Sequence, residues 1–271
     1  MIEGPILIDA SNLSYAWARA FILSMTRGGD EIAPLTISIR FEDGIAHEDL
    51  QVRSILDKHL VTNPKRPRQT SETVAKTIFP YTMAGRVHSR HELYQRYHKI
   101  LPRLHKKRAN RDGIYFERMI SYRPKGLSNP EINQLEKVIC DLKSPTSRRS
   151  GLQLGIFDPT RDHKNTPYMG FPCLQQIAFA KTKRGLLTNA FYPMQYLYER
   201  AYGNYLGLVE LTRFIANQAS LLPYRVICTA GVGKREITKQ DATLLTQQVR
   251  AHIENLGGFE ECRTLCLSAR E

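Results

Sequence analysis

The chain is short of the features that mark membrane spans, disulfide scaffolds and zinc modules. No run of about 18 apolar residues occurs, so no membrane span is expected. It has a single tryptophan and five cysteines, Cys140, Cys173, Cys228, Cys262 and Cys266. An odd count cannot pair completely, and free thiols in a reducing cytoplasm are the expectation. Cys262 and Cys266 lack a second Cys or His pair at zinc spacing, so no metal site is expected there. The opening residues MIEGPILIDASN carry Glu3 and Asp9 and no basic start before an apolar segment, so no secretory signal is expected. Ala230-Gly231-Val232-Gly233-Lys234-Arg235 reads as a glycine-containing turn. It holds only fragments of a phosphate-binding loop, which excludes a Walker site. No internal repeat or low-complexity segment is present.

Acidic residues are also scarce, 26 against 39 Lys and Arg, which leaves a net charge of +13 over 271 residues. A chain this basic attracts phosphate, in a small molecule or a polymer. The basic clusters are Lys65-Arg66-Pro67-Arg68, His105-Lys106-Lys107-Arg108 and Lys181-Thr182-Lys183-Arg184. Each is ordinarily a solvated loop. The 42% hydrophobic content suffices for one domain over residues 1–271.

Asp9, Ser11 or Asn12 is positioned to cap a helix through about Ser24, with Leu13, Ala16, Ala20 and Leu23 on one face and Trp17 in the core. Leu35 to Phe41 alternates as a strand, and Glu42-Asp43-Gly44 ends it. Helices are expected over His47–Leu60, Thr70–Phe79 and His91–Leu101, the last interrupted by Pro102. Ile114 to Tyr122 reads as extended or mixed. Asn129-Pro130-Glu131 opens a helix with Ile132, Leu135, Ile139 and Leu142 aligned, and Ser144 to Arg149 is an exposed turn. Strands are expected over Gly151–Phe157, Cys173–Lys181, Leu186–Tyr192, Tyr224–Thr229 and Thr264–Leu267. Helices are expected over Asn204–Gln218 and Gln240–Leu256. The sum is an α+β fold, a large mixed sheet of roughly five to seven strands flanked by helices.

The densest stretch is Gly170 to Asn204, GFPCLQQIAFAKTKRGLLTNAFYPMQYLYERAYGN. It places Cys173 after a proline at the start of a strand. Glu72, in the first turn of its helix, suits the helix dipole and is also a candidate acid. Four stretches then fall in order: Asn133-Gln134-Leu135 through Asp141 to Ser147-Arg148-Arg149; Pro172-Cys173-Leu174 with Phe179 and Leu187 to Tyr192; Asn204 to Gln218; and Lys65-Arg66 ahead of Glu72. Together they resemble the thymidylate synthase and pyrimidine hydroxymethylase superfamily over roughly residues 35 to 235.

That resemblance implies a thymidylate-synthase-like single domain and a cytoplasmic one-carbon transferase of nucleotide biosynthesis. Cys173 would add to C6 of a pyrimidine nucleotide, activating C5 for a methyl or hydroxymethyl group. Glu72 would be the general acid or base. Arg148 and Arg149 would reach substrate phosphate from the other subunit of a homodimer with shared active sites. Asn204 would hydrogen-bond the pyrimidine edge beside Tyr192, and 5,10-methylenetetrahydrofolate would be the cofactor. Basic neighbours such as Arg148, Arg149 or Lys183 would lower the thiol pKa if close. Helix N-capping is the structural use open to Asn204.

The chain departs from the family pattern at several points. Pro193 and Met194 stand where the family has Gln-Arg, and Leu197 falls at the folate-contacting aspartate. Gly233-Lys234-Arg235-Glu236 replaces a ribose-binding His-x-Tyr, Leu174 replaces a histidine, and Ala178 a glutamine. Two alternatives stay open: the same thiol addition used for C5 exchange, dehalogenation or decarboxylation without folate, and a non-catalytic nucleotide- or nucleic-acid-binding protein.

Overall fold

The structure is a computed structural model that describes residues 1–63, 67–123, 131–163, 172–259 and 262–266. Lys65-Arg66, the predicted helix start at Asn129-Pro130, Gly170 and Leu267 lie outside these residues. In chain order the elements are β1 (Ile2–Ala10), α1 (Leu13–Leu23), β2 (Glu31–Arg40), α2 (Leu50–Val61), α3 (Ser71–Ile78), α4 (Tyr81–Ala84), α5 (Arg90–His105), α6 (Tyr115–Ile120), α7 (Gln134–Lys143), β3 (Gln153–Gly155), α8 (Pro159–Asp162), β4 (Gln176–Thr182), β5 (Gly185–Tyr196), α9 (Ala201–Gln218), β6 (Pro223–Lys234), α10 (Lys239–Asn255) and β7 (Cys262–Cys266). The strands form one seven-stranded mixed sheet in the order β3-β4-β5-β6-β2-β1-β7. The pairs β1–β2 and β5–β6 are parallel, and the others antiparallel. The expected α+β architecture is therefore present.

Alternation sets the sheet's two faces. In β5, Leu186, Thr188, Ala190 and Tyr192 are buried towards the helices. The opposite face carries Phe191, 43% exposed, and Tyr196 at the strand's end is 41% exposed. The core joins that inner face to α1, α3, α9 and α10. Trp17 lies fully buried in it, stacked on Phe21 and donating its indole N–H to the Leu197 carbonyl at 2.7 Å.

Helix α9 is held against α3 by backbone approach. A Cβ built on Gly203 would stand 2.6 Å from the Ser71 carbonyl and from Val74 Cβ, and one on Gly207 would stand 2.8 Å from the Ala75 carbonyl. Gly→Ala in a helix interior ordinarily stabilises. Here Gly203→Ala is expected to cost about 1–3 kcal/mol through overpacking, read as a lower denaturation midpoint. A midpoint equal to or above wild type would show that the two helices part without penalty.

Several boundaries differ from the sequence expectation. Pro102 does not end α5, because it falls in the last turn, on the exposed side, where one lost backbone bond is tolerated. The segment read as extended is the helix α6, with Phe116, Met119 and Ile120 buried against neighbours distant in sequence. The presumed turn at Ala230–Arg235 is mostly strand: β6 continues to Lys234. Its glycines fit close neighbours, since a Cβ on Gly231 would lie 2.8 Å from the Pro193 carbonyl and one on Gly233 2.7 Å from Leu35. Cys173 itself lies three residues before β4 and outside the ladder. Helix α9 begins at Ala201, so Asn204 is inside it and does not cap it.

Among the described residues no helix is long and apolar enough to cross a membrane.

Candidate active site around Cys173

Cys173 is an exposed residue in the turn leading into β4. Antiparallel pairing sets Gln176 opposite Phe191, so the thiol sits at the carboxyl end of β5. Open α/β sheets collect ligands at the carboxyl ends of parallel strands, and β5 and β6 are such a pair.

The Cys173 amide donates to the Tyr115 hydroxyl at 3.3 Å, and the Leu174 amide reaches the same oxygen at 3.5 Å. Tyr115 opens α6, whose register is fixed from inside. Arg118 makes a buried two-pronged ion pair with Asp162 at 2.5 and 2.7 Å and donates to the Ile156 carbonyl at 2.7 Å. That pair anchors the phenol that orients the Cys173 backbone. Tyr115 is a site residue the sequence reading missed. Its helix was hidden because only tertiary packing makes that short segment helical.

Burial pushes the Cys173 thiol pKa up, and the Arg200 guanidinium opposes the shift. Among the described residues the thiol makes no hydrogen bond. Arg200 occupies the position just before α9 and donates to Gln69 at 3.1 Å. Arg200, not Arg148, Arg149 or Lys183, is thus the cation that acts on the thiol. Arg148 and Arg149 are exposed ahead of β3, and Lys183 lies in the β4–β5 hairpin. The Phe179 amide donates to the Leu152 carbonyl, which puts both sets at the far end of β4. At ~3.3 Å per residue that end is roughly 20 Å from Cys173.

Asn204 stands one helical turn beyond Arg200, its amide N–H donating to the Arg200 carbonyl at 2.9 Å. Positions i and i+4 share a helix face. Asn204 is 4% exposed, yet its side chain makes no hydrogen bond among the described residues. Neither Oδ1 nor Nδ2 is among the enclosed polar atoms left without a partner, so the carboxamide touches solvent and is open to a ligand edge. Tyr192 is fully enclosed below, among Cys228, Tyr115, Cys173 and Tyr205, and its hydroxyl has no partner among the described residues. Next to it Tyr205 donates to Gln195 at 2.9 Å, and Gln195 reaches the Cys228 sulfur at 3.6 Å.

Glu72 lies in the first turn of α3, which packs through Ser71 on the first turn of α9. Its half-exposed carboxylate pairs with Lys76 at 2.6 Å, which holds its pKa down. Its other charge neighbour is Arg53. The backbone is therefore near Asn204, while the carboxylate is engaged by its own helix.

The turn that carries Arg200 is tethered by Glu236, whose carboxylate accepts from the amides of Tyr198 at 3.3 Å and Glu199 at 2.5 Å. Burial pushes the Glu236 pKa from 4.5 up to about 7, against the backbone hydrogen bonds that lower it. The folded chain then holds a proton that the unfolded chain releases, so stability falls as pH rises from about 4.5 to about 7. The loss is on the order of 3 kcal/mol. Chemical denaturation across that window should show the slope in wild type and a flat profile in Glu236→Gln. Equal slopes would rule Glu236 out as the source.

Leu197 is fully buried and donates its amide to the Lys234 carbonyl at 2.8 Å. No carboxylate stands at that position. Among the described residues no three His, Cys, Asp or Glu side chains converge as a metal site. Comparison of the chain with protein-family models finds no match, and comparison with curated proteins finds none either.

Proposed function

We propose that the chain is a pyrimidine-modifying enzyme, a divergent thymidylate-synthase-like transferase that works through covalent addition of Cys173 to C6. The observation that carries this reading is the unpartnered Asn204 amide, one helical turn from the Arg200 cation that acts on the Cys173 thiol. A carboxamide donates to O4 and accepts from N3–H of a uracil ring. The ring bound there presents C6 to the thiol.

The thiolate sulfur bonds to C6 while the C5=C6 π pair moves onto C5 and O4 as an enolate. C5 then takes an electrophile: a proton from water, or a one-carbon unit at the formaldehyde level whose leaving group departs with its bonding pair. Loss of the original C5 proton to water and departure of sulfur from C6 restore the double bond. With water alone the result is exchange at C5. With the one-carbon donor it is a hydroxymethyl group after water adds; a methyl group would require a separate hydride donor of the reduced-pterin or nicotinamide class. The buried Leu197 gives no acidic contact to a folate ring. The residues do not fit 5,10-methylenetetrahydrofolate at that contact, and no step is derived through it. The same observation favours the folate-free reading, C5 exchange by thiol addition, as the minimal activity.

Packing around the sulfur raises the thiol pKa although the residue as a whole is exposed, and a second cation would favour the thiolate. Arg148 and Arg149 are too distant within one chain. In a homodimer with shared active sites they act on the partner's thiol and substrate phosphate. Phe191, Met194 and Tyr196, exposed along β5, supply apolar surface for that second copy.

The test is deuterium uptake at C5 of pyrimidine nucleotides in heavy water, followed by mass spectrometry. Uptake that needs the folded protein supports the reading. No uptake with any uracil or cytosine nucleotide, and no Cys173 adduct with a 5-fluoropyrimidine nucleotide plus a one-carbon donor, would sink it.

A further inference from the structure

The charge of this molecule is concentrated in one stretch of the chain. Residues 86–111 hold nine Arg and Lys and a single Glu, a net +8 of the chain's +13. On α5, Arg96, Lys99, Arg103 and, just past its end, Lys106 recur at helical spacing, and all four are exposed. Lys107, Arg108 and Arg111 continue the exposed track towards α6. Arg96 pairs with Glu92 at 2.7 Å. Among the described residues no carboxylate pairs with Lys99, Arg103, Lys106, Lys107, Arg108 or Arg111.

This track and the thiol's positioning residue are one rigid unit. His105 bonds the Asn110 carbonyl at 3.0 Å and Glu117 at 3.1 Å, and the Asn110 amide donates to the Leu104 carbonyl at 3.0 Å. The Tyr97 ring of α5 packs edge-on against Phe116 of α6 at 4.7 Å. Tyr115, the next residue, accepts the Cys173 amide. Arg111 is four residues from Tyr115, a reach of at most about 14 Å. A solvated charge run needs no such fastening to a reactive site.

We infer that the α5–α6 track, from Lys99 to Arg111, binds the sugar-phosphate backbone of single-stranded DNA and presents one of its pyrimidines to Cys173. Six unpaired cations in a row complement a line of phosphates and not a single one. The exposed polar side chains of the track are cationic, so it reads phosphate and needs no ribose 2′-hydroxyl. A single strand meets no unpairing cost when a base turns inward. Presentation to the thiol rests on the chemistry proposed above, whereas binding of the strand does not.

The test measures fluorescence anisotropy of a labelled oligodeoxythymidylate of about 20 nucleotides against the full chain over a salt series. Each neutralised phosphate contributes about −0.7 to the slope of log K against log salt, so six cations predict a slope of about −4. Lys106→Glu/Lys107→Glu/Arg108→Glu should bind at least ~100-fold more weakly and flatten the slope by about 2. Lys99→Gln/Arg103→Gln, a milder change, guards against misfolding and should flatten it by about 1. Wild-type affinity and slope in both variants would overturn the track. A tenfold preference for RNA of the same sequence, or for duplex, would overturn the assignment to single-stranded DNA. A strand carrying 5-fluorodeoxyuridine separates this inference from the chemistry. A Cys173 adduct with the mononucleotide and no strand binding removes the track and leaves the thiol reaction standing. Strand binding with no adduct from either substrate removes presentation to Cys173 along with the thiol reaction.

Discussion

Cys173→Ala is expected to take up deuterium at C5 of a bound pyrimidine at no more than about a thousandth of the wild-type rate. The nucleophile forms and breaks the only covalent bond that activates C5, so no residual route passes through the enolate. Cys173→Ser should be nearly as slow, because an alcohol at neutral pH is a far weaker nucleophile than a thiolate. Nucleotide affinity should change little in either variant, since Asn204 and the cations remain. Exchange within tenfold of wild type would sink the covalent reading. The proposed shared site has its own consequence. A chain with Arg148→Ala and Arg149→Ala keeps its thiol but lacks the cations that the proposed dimer would lend. Mixed with Cys173→Ala chains under subunit exchange, it should recover about a quarter of wild-type activity, because half of the dimers then hold one intact site. No recovery in the mixture, with dimers confirmed by sedimentation, would argue that each chain is served by its own residues.

Asn204→Leu should separate stability from binding. The amide makes no hydrogen bond among the described residues and is not an enclosed orphan, so a side chain of similar size should leave Tm within about 2 °C of wild type. Pyrimidine nucleotide affinity should fall by about 100-fold, because O4 and N3–H lose their paired contacts. Differential scanning fluorimetry and nucleotide titration read the two effects separately. A lower Tm in the variant would show that the amide serves the fold, and the case for a ring at that position would fail.

The parts of the site that were legible in the sequence are those whose chemistry is local. Cys173 follows a proline at the mouth of a strand, and Asn204 lies in a strongly apolar helix, whereas Arg200, just ahead of that helix, was not singled out. That order along the chain becomes proximity because β4 and β5 form a hairpin and α9 returns over it. Tyr115 was not legible. Its segment, YFERMI, has no capping side chain, and its helix depends on Arg118 reaching Asp162. Arg148, Arg149 and Lys183 lie away from the thiol of their own chain for a topological reason. Strand pairing puts the two ends of β4 roughly 20 Å apart, a separation that residue spacing cannot reveal. Six of the seven strands were expected from the sequence, and β1 (Ile2–Ala10) was not. The extension of β6 through Gly231 and Gly233 was not, because glycines chosen for close backbone contact imitate a turn.

Trp17 gives the molecule a built-in optical gauge. It is the chain's single tryptophan, it is fully enclosed, and its indole N–H is bound to the Leu197 carbonyl. Leu197 begins the turn that runs through Tyr198 and Glu199 to Arg200. Emission from one fluorophore, without labelling, therefore reports the same few ångströms of backbone that carry the cation beside Cys173. A ligand that shifts this turn changes the colour or the yield of that emission, while one that docks elsewhere leaves it dark to the event.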